Sequence, residues 1–199
     1  MRSSVYLWHY TTSIAFVKNI LKNGFDLSRC TKIGEGVPYL RNDYDQISIT
    51  RVCFTNVSPL DVDKVHIDKY GEYCIGFKRE WINSRNINPV IYCTKDGILT
   101  KLLKPIVQTN ITLYKLCKQY SDYNSENAII DDRFPNTLDH LRYYDEHEWR
   151  YITDKSNGSL TFETHDVFEI WVKNEADKEE ILKDIDLSQY SEIIRFKQH

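Results

Sequence analysis

The spacing of apolar positions at the start of the chain changes from strand-like to helix-like. Residues 5–11 are rich in aromatic and β-branched side chains, which predicts a strand with His9 and Thr11 on the same face. Apolar residues then recur at helical spacing in residues 14–21, and Gly24 stands where a helix stop is expected. The first unit is therefore a strand followed by an amphipathic helix.

The same patterns continue along the chain. Further strands are predicted at residues 51–55, 73–77, 89–93, 144–152, 160–163, 167–172 and 192–196. Helices are predicted at residues 58–70, 78–86 and 174–184, with a weaker helical pattern over 96–142 and a hairpin turn at 156–158. Helices inserted among strands predict an α+β fold, with residues 1–199 forming one domain around a mixed or split sheet.

One long segment shows neither pattern. Residues 31–48 contain glycine, proline, asparagine and aspartate in positions typical of loops. Because a loop of this length is more often functional than structural, we expect either a lid over a site or a segment that binds a partner.

Composition narrows the function classes. A formal net charge of -3 makes duplex nucleic acid an improbable partner. The five cysteines are odd in number and contain no C-x-x-C pair, which predicts a reducing, cytoplasmic location. No apolar run approaches the roughly 20 residues that span a bilayer, so we expect no membrane segment.

The segment 144–151 carries the densest group of candidate site residues. As a strand, it places Glu146, Glu148 and Arg150 on one face, and His147, Trp149 and Tyr151 on the other. A carboxylate beside an arginine stays ionised, so Glu148 cannot serve as a general acid at neutral pH. It could bind a ribose hydroxyl and stabilise a cationic carbon next to it. A structural ion pair explains the same pattern equally well.

Two earlier clusters also have a functional and a structural interpretation. His9 and Thr11, at the end of an apolar row, could hold a sugar hydroxyl, or His9 could be a structural residue at the start of the next helix. Thr55 with Tyr70 and Tyr73 could form a stacking wall for a planar ring, or the tyrosines could fill the rim of the core.

Other chemistries lack support in the sequence. His140 and His147, with nearby aspartates, match no established metal-binding spacing, so we expect no metal. No G-x-S-x-G element is present, and the cysteines lie in apolar runs, so a nucleophilic triad is not predicted either.

Three motifs together resemble the AbiGi family of bacterial abortive-infection proteins. They are HYT with a downstream IL..GF at residues 9–25, CFT with a downstream YGEYCIGF and EW at 53–81, and YDEHEWRY at 144–151. Cys74 stands where the family pattern has glycine, which adds a side chain near the tyrosines. The resemblance implies phage defence in a toxin–antitoxin arrangement, and therefore a protein partner.

The order of the clusters is also similar to the layout of ADP-ribosyltransferases. This second resemblance implies a fold of that type and NAD as substrate. His9, assisted by Thr11, would hold one ribose of NAD. Tyr70 or Tyr73 would stack on nicotinamide, and Glu148 would hold the other ribose.

Two hypotheses follow. In the first, the chain is an ADP-ribosyltransferase or NAD glycohydrolase in which Glu148 is the catalytic residue. Its substrate-binding residues would be His9, Tyr10, Thr11, Thr55, Tyr70, Tyr73, Glu146 and Arg150. In the second, the chain is a non-catalytic antitoxin or interaction module that neutralises a partner toxin.

Overall fold

A computed structural model describes residues 6–34, 36–119 and 147–196. The helices are α1 (Ile14–Asn23), α2 (Lys64–Tyr70), α3 (Arg79–Ser84), α4 (Ile98–Thr109), α5 (Ile111–Leu116) and α6 (Glu175–Leu182). The longer strands are β1 (Tyr6–Thr11), β4 (Ser48–Thr55), β5 (Tyr73–Lys78), β9 (Glu148–Thr153) and β11 (Val167–Val172). The shorter strands are β2 (Phe25–Asp26), β3 (Thr31–Ile33), β6 (Asn88–Pro89), β7 (Ile91–Cys93), β8 (Cys117–Gln119), β10 (Ser159–Leu160) and β12 (Ile194–Phe196).

The central sheet has the strand order β12-β11-β5-β1-β4-β9-β6, and β3 pairs with β4 off this path. β11 and β12 are parallel, whereas β1, β4, β5 and β9 pair antiparallel with their neighbours. The predicted α+β class and mixed sheet are therefore confirmed. Non-consecutive strands lie side by side because helices form the connections between them.

One face of this sheet packs on the main core. Leu7, Phe77 and Ile75 are buried there together with residues of α1 and α6. Trp149 and Tyr151 pack against the same core from β9. Since side chains alternate along a strand, Glu148 and Arg150 project from the opposite face, as the sequence pattern predicts.

A second core lies beneath residues 31–48, the segment expected to be a lid or a partner-binding loop. Val37 and Leu40 from this segment are almost completely buried against Leu103 and Val107 of α4. The Arg41 guanidinium donates to the carbonyl oxygens of Val107 and Gln108 at the end of α4. The segment is therefore a structural support for α4.

Three local predictions were wrong. The helix expected from Ser58 begins at Lys64, where the Asp63 side chain accepts from the His66 amide, and Ser58 instead stabilises a turn. The strand expected at 89–93 is divided, because β6 pairs with β9 and β7 pairs with β8. The turn at 156–158 exists, but β10 pairs with β2 instead of folding back on β9.

Gly71 offers a test of this arrangement. It has φ +97° at the end of α2, and a Cβ placed on it would meet the backbone of Thr11 and Thr12. We expect Gly71→Ala to lower the free energy of unfolding by about 3 kcal/mol, from left-handed strain and from the clash. Gly158→Ala is the matched control, since Gly158 has φ +91° but nothing within 4 Å of the added Cβ.

Urea denaturation measures both changes. Gly158→Ala should cost only the backbone term, about 1 kcal/mol. Equal losses for the two variants would contradict the close approach of α2 to the end of β1.

Candidate functional site

A buried ion pair on β9 forms the centre of the candidate site. The register of β9 on β4 places Glu148 opposite Thr55 and Arg150 opposite Cys53. Arg150 Nε donates to Glu148 Oε1 over 2.7 Å, and Arg150 Nη2 lies 3.4 Å from Oε2. The two residues are 7% and 2% exposed, so their charges neutralise one another away from water.

Two further segments close around this pair. Lys118 of β8 donates from Nζ to Glu148 Oε2 over 2.6 Å. Arg150 Nη1 donates to the carbonyl oxygens of Lys115 and Cys117. The end of α5 and the start of β8 are thereby attached to β9. We call Glu148, Arg150 and Lys118 the carboxylate clamp.

The clamp decides the protonation state of its carboxylate. Burial alone would raise the pKa of Glu148, but the Arg150 guanidinium and the Lys118 ammonium outweigh it and hold that pKa well below its usual range. Glu148 is therefore ionised at neutral pH, as the sequence predicts, and it cannot donate a proton.

A cavity of about 210 Å³ lies over the clamp, on the same face of the sheet as Glu148. Five of the residues predicted for the site line it: His9, Tyr10, Thr55, Tyr70 and Glu148. The fold therefore brings together predicted site residues from β1, β4, α2 and β9. They lie as much as 139 positions apart in the sequence, from His9 to Glu148.

His9 lines this cavity at its edge, but its ring turns toward the core. The ring contacts Phe25 and Phe54 edge to face, with centroids 4.8 and 5.9 Å away. Its Nδ1 lies 2.9 Å from the carbonyl oxygen of Cys53, which bridges β1 and β4. Burial lowers the pKa of His9, so the ring is neutral and donates from Nδ1. The imidazole is thus used to join two strands.

The other predicted site residues lie elsewhere. Thr11 pairs with Tyr73 on the core face of the sheet, where the Tyr73 hydroxyl donates to Asp177. Arg150 holds Glu148 from behind and does not line the cavity. Glu146 lies outside the described residues.

The sequence prediction missed several residues that do line the cavity. Lys118 lies within residues 96–142, where the sequence shows only a weak helical pattern, so nothing in the sequence indicated that it would reach Glu148 from a strand. Trp8 lies two residues from Tyr10 on β1, and Arg51 lies four residues from Thr55 on β4, so each shares a strand face with a predicted site residue. This period of two could have identified both cavity-lining residues. His66 precedes Tyr70 by one helical turn, which is also a recognisable spacing.

Cys53 opens into the cavity beside Glu148. Burial raises the pKa of the Cys53 thiol, and the nearby Glu148 carboxylate raises it further, to about 11. The thiol is therefore protonated at neutral pH, which makes Cys53 a poor nucleophile.

A separate surface feature lies on α4. Four apolar side chains on this helix are between 46% and 78% exposed: Ile98, Leu99, Leu102 and Ile106. At about 100° per residue they fall within an arc of roughly 100°, next to the side that packs on the second core. We call these four residues the α4 apolar arc.

In the three described stretches, no helix is long and apolar enough to cross a bilayer. The same stretches contain no cluster of three or more side chains that could ligate a metal.

Comparison with known protein families shows a match over most of the chain. A family described as "Putative abortive phage resistance protein AbiGi, antitoxin" matches residues 41–197, more than three quarters of the chain. No curated protein and no solved structure matches.

The carboxylate clamp predicts a pH-dependent contribution to stability. At pH 7 we expect Glu148→Gln to lower the free energy of unfolding by about 3 kcal/mol, because it leaves Arg150 buried without its counter-charge. The folded pKa of Glu148 lies below its unfolded value, so this stabilisation is complete above about pH 5 and is lost as pH falls through and below about 4.

Denaturation of wild type and variant from pH 7 down to pH 3 measures the effect. Glu180→Gln is the control, since Glu180 pairs with Lys18 and Lys183 at the surface and should matter far less. A loss at Glu148 that does not change with pH would show that the carboxylate charge is not responsible.

Proposed function

Because the chain belongs to the AbiGi family of abortive phage resistance proteins, we propose that it acts in phage defence as an antitoxin that binds and neutralises a partner toxin. The observation that supports binding is the α4 apolar arc. Ile98 and Leu102 are 78% and 64% exposed. A group of large apolar side chains exposed to water is unfavourable, and a partner that covers them removes that unfavourable contact.

The helix that carries the arc is held firmly from behind. Leu103 and Val107 are buried in the second core, and Arg41 donates to carbonyl oxygens at the C-terminal end of the helix. A surface fixed in this way loses little conformational entropy when a partner binds.

The charges beside the arc indicate the chemistry of the partner. Lys101 is exposed on α4 and lies about 60° around the helix from Ile98, beside the arc. The complementary surface is an apolar groove with an acidic rim on the toxin, into which the helix would dock. An acidic rim would also steer the encounter between the two proteins.

Leu102→Glu tests this proposal. The substitution places a carboxylate in the middle of the arc. We therefore expect it to abolish the complex with a toxin encoded by the neighbouring gene, and to abolish the rescue of growth when the two proteins are co-expressed. Leu60→Glu is the matched control, because Leu60 is 70% exposed in a turn far along the chain from α4.

The outcome separates the alternatives. Both variants should fold like wild type, since neither leucine is in a core. Rescue by Leu102→Glu equal to wild type would overturn the docking proposal. If Leu102→Glu instead turns a dimer of this chain into a monomer, the arc is an interface between two copies.

A second candidate function is NAD cleavage. It is favoured by the cavity that brings His9, Tyr70 and Glu148 together. The clamp weighs against it, because Glu148 already accepts from Arg150 and Lys118. Two cations beside one carboxylate oppose the build-up of positive charge on a ribosyl carbon.

For this reason we expect no release of nicotinamide when the purified protein is incubated with NAD. Chromatography of the reaction against a protein-free blank measures the release. Release by wild type that disappears in a folded Glu148→Gln variant would establish the enzyme and displace the binding-only proposal.

A further inference from the structure

The chain contains two asparagine–glycine pairs, Asn23-Gly24 and Asn157-Gly158. In such a pair the backbone nitrogen of the glycine can attack the side-chain carbonyl carbon of the asparagine and close a succinimide ring. Glycine favours this attack because it has no Cβ to obstruct the approach. In a folded protein the side chain and the nitrogen must also be free to meet, so the surroundings of each pair decide whether it reacts.

The pair Asn157-Gly158 lies in the turn between β9 and β10, in open surroundings. Residues 154–159 are all exposed, and a Cβ placed on Gly158 would meet nothing within 4 Å. Among the described residues, neither the Asn157 side chain nor the Gly158 N–H has a hydrogen-bond partner. The attacking nitrogen and its target therefore have no bond to break before they meet.

The pair Asn23-Gly24 has the same two residues but is held closed. The Gly24 N–H donates to the carbonyl oxygen of Ile20 over 2.9 Å at the end of α1. The Asn23 side-chain amide donates to Asn19 Oδ1 over 3.0 Å. Gly24 is also buried, and a Cβ placed on it would meet the Leu160 carbonyl oxygen at 2.5 Å. Ring closure at this pair therefore requires two hydrogen bonds to open in a crowded place.

We propose that Asn157 deamidates spontaneously in the folded protein, whereas Asn23 stays intact. A bond forms between the Gly158 nitrogen and the Asn157 Cγ, and the side-chain amide leaves as ammonia with the proton of that nitrogen. Water then opens the succinimide. Attack at the side-chain carbonyl yields aspartate, whereas attack at the main-chain carbonyl yields isoaspartate, in which the chain continues through the side-chain carbon. The net change replaces NH2 by OH and consumes water.

The isoaspartate product alters the contact between this turn and β2. Its main chain is longer by a methylene group directly before Gly158, whose carbonyl oxygen accepts from the Leu27 amide over 3.0 Å. Leu27 is 3% exposed, and the adjacent Ser159 and Asp26 are in register as β10 pairs with β2. Displacing the Gly158 carbonyl leaves the N–H of a buried residue without its acceptor, which is unfavourable. We therefore expect the β2–β10 pairing to open more often in the modified protein.

Incubation of the purified full-length chain at pH 8, followed over several days by peptide mass spectrometry, tests the proposal. Mild base speeds ring closure because the attacking nitrogen must lose its proton. We expect the peptide that contains Asn157 to gain progressively the mass difference between OH and NH2. Deamidation at Asn23 should be at least about tenfold slower, because two hydrogen bonds must open before its ring can close.

Two comparisons separate the effect of the fold from that of the local sequence. In concentrated urea both pairs lose their surroundings, so the rate at Asn23 should rise towards the rate at Asn157. Asn157→Gln is the matched variant, because glutamine keeps the amide but its longer side chain closes the corresponding ring much more slowly, so its peptide should keep its mass. Equal rates at Asn23 and Asn157 in the folded protein, or no reaction at Asn157, would overturn the proposal.

Hydrogen exchange tests the consequence for β2. In aged protein, where electron-transfer fragmentation identifies isoaspartate at position 157, the peptide that contains Leu27 should exchange faster than in fresh protein. Asn157→Asp adds the charge without the extra methylene group, so it should exchange like fresh wild type. Exchange that stays unchanged in the isoaspartate-containing protein would overturn the expected opening of the β2–β10 pairing.

Discussion

The buried contact between Glu148 and Arg150 is the interaction on which the functional face depends. An arginine in a protein interior needs a counter-charge and acceptors for its remaining donors, and here it has both. The carboxylate of Glu148 supplies the charge, and the carbonyl oxygens of Lys115 and Cys117 supply the acceptors. One side chain thereby connects β9 to the segment that leads into β8.

This arrangement also sets what the site can do. A carboxylate that must remain ionised to keep an arginine buried cannot cycle through a protonated state. It can orient a hydroxyl.

The sequence predicted those features that depend on local periodicity. Alternation along β9 placed Glu148 and Arg150 together and sent Trp149 to the core, because successive side chains of a strand always point to opposite faces. The caps of α1 and α6, Ser13 and Asn174, are equally local, because each side chain accepts from an amide in the first turn of its own helix. The match of residues 41–197 to AbiGi confirms the family that the motifs indicated.

The errors concern relations between distant segments. Lys118 reaches Glu148 across 30 positions of sequence, which no local pattern records. The order of motifs along the chain did not reveal that Thr11 and Tyr73 face the core. Residues 31–48 contain too few apolar positions to indicate a core, yet Val37 and Leu40 complete one by packing on α4. Burial in such cases depends on which element lies opposite.

The edge of the sheet at β6 has a consequence for the behaviour of the isolated protein. β6 is only two residues long, and one of them is Pro89, which has no backbone N–H to offer another strand. A short edge of this kind gives other chains little to extend, so it discourages strand-to-strand aggregation. A protein with such an edge stays dispersed more readily at high concentration.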